Sequence, residues 1–118
     1  MVLVSPTGQQ FVFFSDVGFP GDIVPVAVSN LTVTLSDTAR TDLPQGLLTS
    51  GTYRPNNFET NPASRDSFPP PVFFDVTAAN SAAPVGTATF ASRFNAANPN
   101  GTWNLFIVMD RGPHTGAL

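Results

Sequence analysis

Wherever apolar and polar positions keep a pattern along this chain, the period is two rather than 3.6, which is the signature of strands. The cleanest stretch is residues 30–36, NLTVTLS. Leu31, Val33 and Leu35 fall on one side, and Asn30, Thr32, Thr34 and Ser36 on the other. That alternation predicts a strand with one solvated face. Residues 102–109, TWNLFIVM, place Trp103, Leu105 and Ile107 on one face. Phe106 and Val108 make the opposite face apolar too, so this strand is expected to be buried on both sides. Residues 10–15, QFVFFS, form a short apolar run suited to a buried strand. Pro6-Thr7-Gly8 reads as a turn before it, predicting a hairpin between residues 2–4 and 11–14. Shorter strand candidates lie at residues 72–76 and 85–90. Residues 42–48, DLPQGLL, have room for one helical turn, which Pro44 and Gly46 keep short.

The punctuation between these runs is dense, with twelve Pro and nine Gly distributed among many Asn, Ser and Thr. Residues 53–67, YRPNNFETNPASRDS, read as a long polar surface loop. Pro69-Pro70-Pro71 follows and is expected to be an extended, stiff crossing between two sheets. At 118 residues, with no internal repeat, residues 1–118 form a single domain. Many short strands with frequent turns predict an all-β fold, a sandwich or a barrel.

Charge narrows the partners. Only 11% of residues are charged, the net charge is −3, and the five basic residues are all Arg, scattered at Arg40, Arg54, Arg65, Arg93 and Arg111. A polyanion would find no basic patch, so nucleic acid and anionic membrane are disfavoured as partners. The absence of cysteine removes disulfides and thiolate metal sites. No run approaches the roughly 18 apolar residues of a membrane span. Met1 leads directly into Val2-Leu3-Val4 without a signal-peptide pattern, so an export signal would lie outside the chain. Low charge with abundant Thr, Ser, Asn and Gly suits a secreted or cell-surface module.

Residues able to carry chemistry are sparse. The one histidine, His114, lies in a turn-like GPHTG context, and the one glutamate, Glu59, lies in the polar loop. No serine sits in a nucleophile elbow, so no acid–base or nucleophile–base pair is legible and no catalysis is expected. Asp16, Asp22 and Asp37 flank loops and carry ligand types suited to Ca2+, although no EF-hand spacing exists; the competing reading is that they cap turns. Sugar binding would need exposed aromatics in loops, and Tyr53, Phe58 and Phe19 are the candidates, with anchoring of loops onto the core as the alternative. Asn30-Leu31-Thr32 and Asn100-Gly101-Thr102 match the glycosylation sequon, which matters only in a eukaryotic secretory host.

The C-terminal stretch, residues 94–118, reads FNAANPNGTWNLFIVMDRGPHTGAL. Asn98-Pro99 and Asn100-Gly101 are turn dipeptides, after which Trp103 starts a strand. This NPNGTW strand, with Asp110 and Gly116 beyond it, resembles the end of the P domain (Homo B domain) of kexin- and furin-type proprotein convertases. It is closer still to P-domain-like modules of secreted bacterial proteins. Residues 3–8 (LVSPTG), 13–18 (FFSDVG), 31–39 (LTVTLSDTA), 50–55 (SGTYRP) and 68–71 extend the resemblance, in order, over most of the chain. It implies a jelly-roll-like antiparallel β-sandwich, with Pro99, Gly101 and Trp103 as structural residues and Trp103 buried with an acceptor for its indole N–H. It also implies that strands normally present before Met1 and after Gly116 are missing, so the module is read as truncated at both ends. Open sheet edges then invite self-association. Met109 and His114 stand where the family often has acids, which weakens a metal at that turn. The expected function is that of a non-catalytic accessory module, stabilising or presenting a neighbouring domain such as a subtilisin-like protease. The alternatives are a carbohydrate- or surface-binding module, or an adhesion module using its sheet edges.

Overall fold

A computed structural model of the chain describes residues 1–18, 28–58, 68 and 88–108. The expected hairpin forms from β1 (Val2–Val4) and β2 (Gln10–Val12), paired antiparallel with Leu3 opposite Phe11. Its turn closes through Ser5 N–H to the Gln9 carbonyl at 2.9 Å and Gly8 N–H to the Ser5 carbonyl at 3.0 Å. The buried Ser5 hydroxyl also accepts the Gln9 N–H at 3.0 Å, so a side chain completes what the backbone begins. Gly8 takes φ +87° there, a conformation that costs glycine little.

The last described strand, β7 (Asn104–Phe106), lies antiparallel on the other side of β1, giving the order β2-β1-β7. Register decides the two faces. Val2 stands between Val12 and Phe106, and Val4 between Gln10 and Asn104. Val2, Val4 and Val12 join Phe68 in the core, with Phe106 and Val108 packed against them. The opposite face carries Leu3 between Phe11 and Leu105.

That second face is covered over β2 by a short helix, α1 (Phe90–Phe94). The Phe11 ring meets Phe90 edge-on at 5.2 Å and Phe94 at 6.2 Å. Phe13, on the same side as Phe11, packs against Phe90 at 5.6 Å. The helix begins where a strand over residues 85–90 was expected, and Phe90 opens it instead of ending a strand. Thr89 is the reason. Its side chain accepts the Ser92 N–H while the Ser92 hydroxyl oxygen accepts the Thr89 N–H, a reciprocal cap that starts a helix in one turn.

Two further pairs are parallel, which the antiparallel expectation did not include. β3 (Phe14–Ser15) pairs with β6 (Asn56–Asn57), and β4 (Val33–Leu35) pairs with β5 (Gly51–Tyr53). Parallel neighbours need a crossover rather than a tight turn, and residues 36–50 supply it for β4 and β5. No helical turn forms at residues 42–48. Asp42 bridges to Arg54, and Leu43, 1% exposed, donates its N–H to the Arg54 carbonyl at 3.0 Å. The first part of the polar loop expected over residues 53–67 is instead strand: Tyr53 ends β5, and Asn57 is buried in β6. Residues 59–67, 69–71 and 72–76, with the loop, proline and strand readings made for them, lie outside the described residues.

On β4 the expected alternation holds, with Thr32 and Thr34 exposed and Leu31, Val33 and Leu35 half-buried. The described chain is thus β-rich, with short strands in small sheets and one five-residue helix. Among the described residues no helix is long and apolar enough to cross a membrane.

Candidate functional site

The aspartates named as calcium candidates do separate jobs. Asp37 accepts the Phe90 N–H at 2.9 Å with one oxygen and the Ala91 N–H at 2.8 Å with the other. Those N–H groups have no partner inside a helix, so the carboxylate satisfies the first turn of α1. Asp16 sits exposed at φ +54° just after β3, where the Ser15 hydroxyl donates to it at 3.0 Å. Asp22 lies outside the described residues. Calcium draws on six to eight oxygens. Among the described residues no three His, Asp or Glu side chains gather as such a set.

The aromatic candidates are held by local contacts. The Tyr53 hydroxyl lies 3.0 Å from the Thr49 hydroxyl and donates to the Thr49 carbonyl at 3.2 Å. Its ring lies over Gly51, where a Cβ would come within 3.1 Å of it, so the ring is engaged within β5. Phe58 is half-buried and its N–H donates to the Ser15 carbonyl at 3.3 Å, anchoring the end of β6 to β3. Phe19 lies outside the described residues. One exposed ion pair, Arg54 Nε to Asp42 Oδ1 at 2.7 Å, sits beside this region. The guanidinium hydrogen bond holds the Asp42 carboxyl below the ordinary carboxylate range, and Asp42 raises Arg54 in return.

Trp103 departs from expectation. Its indole N–H finds an acceptor, the Pro99 carbonyl, at 3.0 Å. The ring stands edge-on to Phe94 at 5.1 Å but remains 37% exposed, so the expected burial does not occur. Leu105 at 52% and Ile107 at 39% continue the exposed stripe. The two-sided burial expected for residues 102–109 is thus corrected over the described residues 102–108: Phe106 and Val108 are partly buried against the core, and the Trp103 side is open. The cause is coverage. Helix α1 reaches over β2 and touches only the beginning of this stripe, through Phe94.

The turn before Trp103 shapes a surface where several polar side chains converge. Gly101 adopts φ +131°, and a Cβ there would stand 2.8 Å from Pro6 Cβ. Only glycine lets the 98–102 turn close onto the hairpin turn. Between them opens a cleft of about 700 Å³, lined by Ser5, Pro6, Gln10, Asn100, Thr102 and Asn104, with Val4, Gly8 and Gly101 filling in. Among the described residues no charged side chain contributes to this lining. No family model, curated protein or solved structure matches the chain. The functional reading therefore rests on the residues themselves. The cleft was not legible from sequence, because its walls come from positions nearly a hundred residues apart. The signals that could have found it were the two Gly-Pro-containing turns, each read correctly as a turn but not as a pair.

Proposed function

We propose that this chain is a P-domain-like, jelly-roll-type β-sandwich module, a non-catalytic accessory to a neighbouring domain of a larger exported or cell-surface protein. One observation carries the reading. The stretch with the most specific resemblance, residues 98–103, meets the N-terminal stretch that agrees with it, residues 3–8: β1 pairs with β7, and Gly101 closes against Pro6. Their adjacency supports reading the two stretches as parts of one structural unit. The engagement of Asp37, Tyr53 and Phe58 in local structure is consistent with a scaffold role for residues first considered as ligands.

The test is the coding sequence on either side of this chain, followed by the melting of whatever adjoins it. A subtilisin-like domain in frame, with a melting temperature that falls by several degrees when residues 1–118 are deleted, supports the reading. An adjoining domain whose stability and activity are indifferent to the deletion overturns it.

A further inference from the structure

We propose that the cleft between the hairpin turn and the 98–102 turn is a binding site for a neutral carbohydrate. The inference rests on the cleft's own chemistry and not on the family reading. The cleft is an open depression of about 700 Å³, wide enough to receive a sugar ring from the solvent side rather than to enclose it. Its lining is uncharged among the described residues, which offer an anion or a cation only hydrogen bonds. The polar groups are carboxamides and hydroxyls: Gln10, Asn100 and Asn104, with Ser5 and Thr102. A carboxamide presents a donor and an acceptor side by side, and adjacent sugar hydroxyls present the complementary pair.

Availability separates these groups. The Ser5 hydroxyl is committed to Gln9 within the hairpin turn. The side chains of Asn100, Thr102 and Asn104 are exposed and make no hydrogen bond among the described residues, so they are free to take up a ligand. Their backbone is nevertheless fixed. Asn100 N–H donates to the Asn98 side chain at 3.0 Å, and Asn104 is held by its pairing with Val4. Asn104 and Gln10 flank Val4 from opposite sides, about 10 Å apart at two strand spacings, which sets the cleft's width across the sheet. Pro6, half-buried at the rim, adds a small apolar surface for the C–H face of a sugar ring, while Val4 beneath is part of the core.

Trp103 is a positioning residue here, not a stacking platform. Alternation along the strand turns it away from Thr102 and Asn104. Its indole bond to the Pro99 carbonyl braces the turn that carries Asn100 and Thr102.

The full chain, isotopically labelled, is titrated with maltose, cellobiose and lactose, and with laminarin as a neutral polysaccharide, while side-chain carboxamide signals are followed by NMR. Saturable shifts of the Asn100 and Asn104 carboxamides with at least one of these probes are expected. Laminarin acting where the disaccharides do not identifies a glycan chain as the natural source; the reverse identifies a free sugar. Affinity should fall on the order of tenfold or more in the Asn100→Ala/Asn104→Ala double variant. It should stay unchanged in Leu105→Ser, on the opposite face. Both variants alter exposed side chains, and retention of the wild-type backbone spectrum verifies folding. The proposal is overturned if no probe shifts these signals at tens of millimolar, if binding survives the double variant, or if glucuronate or a neutral peptide competes as well as the sugars do.

Discussion

The two outer strands of the β2-β1-β7 sheet meet their surroundings in opposite ways. Along β2, Phe11 is 1% exposed beneath the rings of Phe90 and Phe94. The edge of that strand is occupied as well, because Arg93 donates from Nε and Nη2 to the Gln10 carbonyl at 3.1 and 2.8 Å. Along β7, Leu105 lies in register with Phe11 across β1, yet it is 52% exposed. Among the described residues no strand continues the sheet beyond β7. Two apolar positions on one face of one sheet thus differ because a single turn of helix covers one and not the other. A covered edge resists pairing with other chains, whereas an open apolar one invites it.

The largest expected effect breaks the covered side. Phe11→Ala should lower unfolding free energy by about 3–5 kcal/mol in urea denaturation, since it empties a site closed by two aromatic rings. Gly101→Ala follows, at about 1–3 kcal/mol, because φ +131° is foreign to alanine and the new Cβ would press on Pro6. Ala at Gly46, where a Cβ meets nothing within 4 Å, is the control that should change little. Asp37→Ala should cost about 1 kcal/mol by leaving two α1 N–H groups without their carboxylate, with faster amide exchange at Phe90 and Ala91 as the local readout. Leu105→Ala, the counterpart of Phe11→Ala, should stay within about 0.5 kcal/mol. A large loss there would mean that the β7 stripe is covered after all.

The smallest effect is the pH response of the Arg54–Asp42 pair. Asp42 titrates lower in the folded chain than in the unfolded one, so its contribution is complete above about pH 4 and fades as pH falls through the lowered value. Because both side chains are well exposed, the effect is weak and screened by salt. Asp42→Asn should remove that part of the acid dependence and leave the melting temperature at pH 7 within about 2 °C of the parent.

Much of the local structure is readable in the residues. The hairpin follows from an apolar run preceded by Pro6-Thr7-Gly8, and the half-buried character of β4 from NLTVTLS. The 98–102 turn follows from Asn-Pro and Asn-Gly, with Gly101 at positive φ. What failed did so for identifiable reasons. Helix α1 is too short to establish a period, and its signal is the Thr89–Ser92 cap, an offset that many loops also contain. The parallel pairing of β4 with β5 carries no sequence mark, because a crossover over residues 36–50 looks like any irregular connection. Asp37 reads as a loop acid until the helix it caps, more than fifty residues later, is placed beside it.

The amino-acid pattern by itself determined that this chain builds short strands and tight turns, since alternation and turn chemistry act over a few neighbouring residues. Tertiary structure alone decided which apolar face would be covered, that Trp103 would stand half in solvent, and that two distant turns would frame a polar cleft. Those outcomes depend on which elements meet, and the residues that meet are separated by most of the chain.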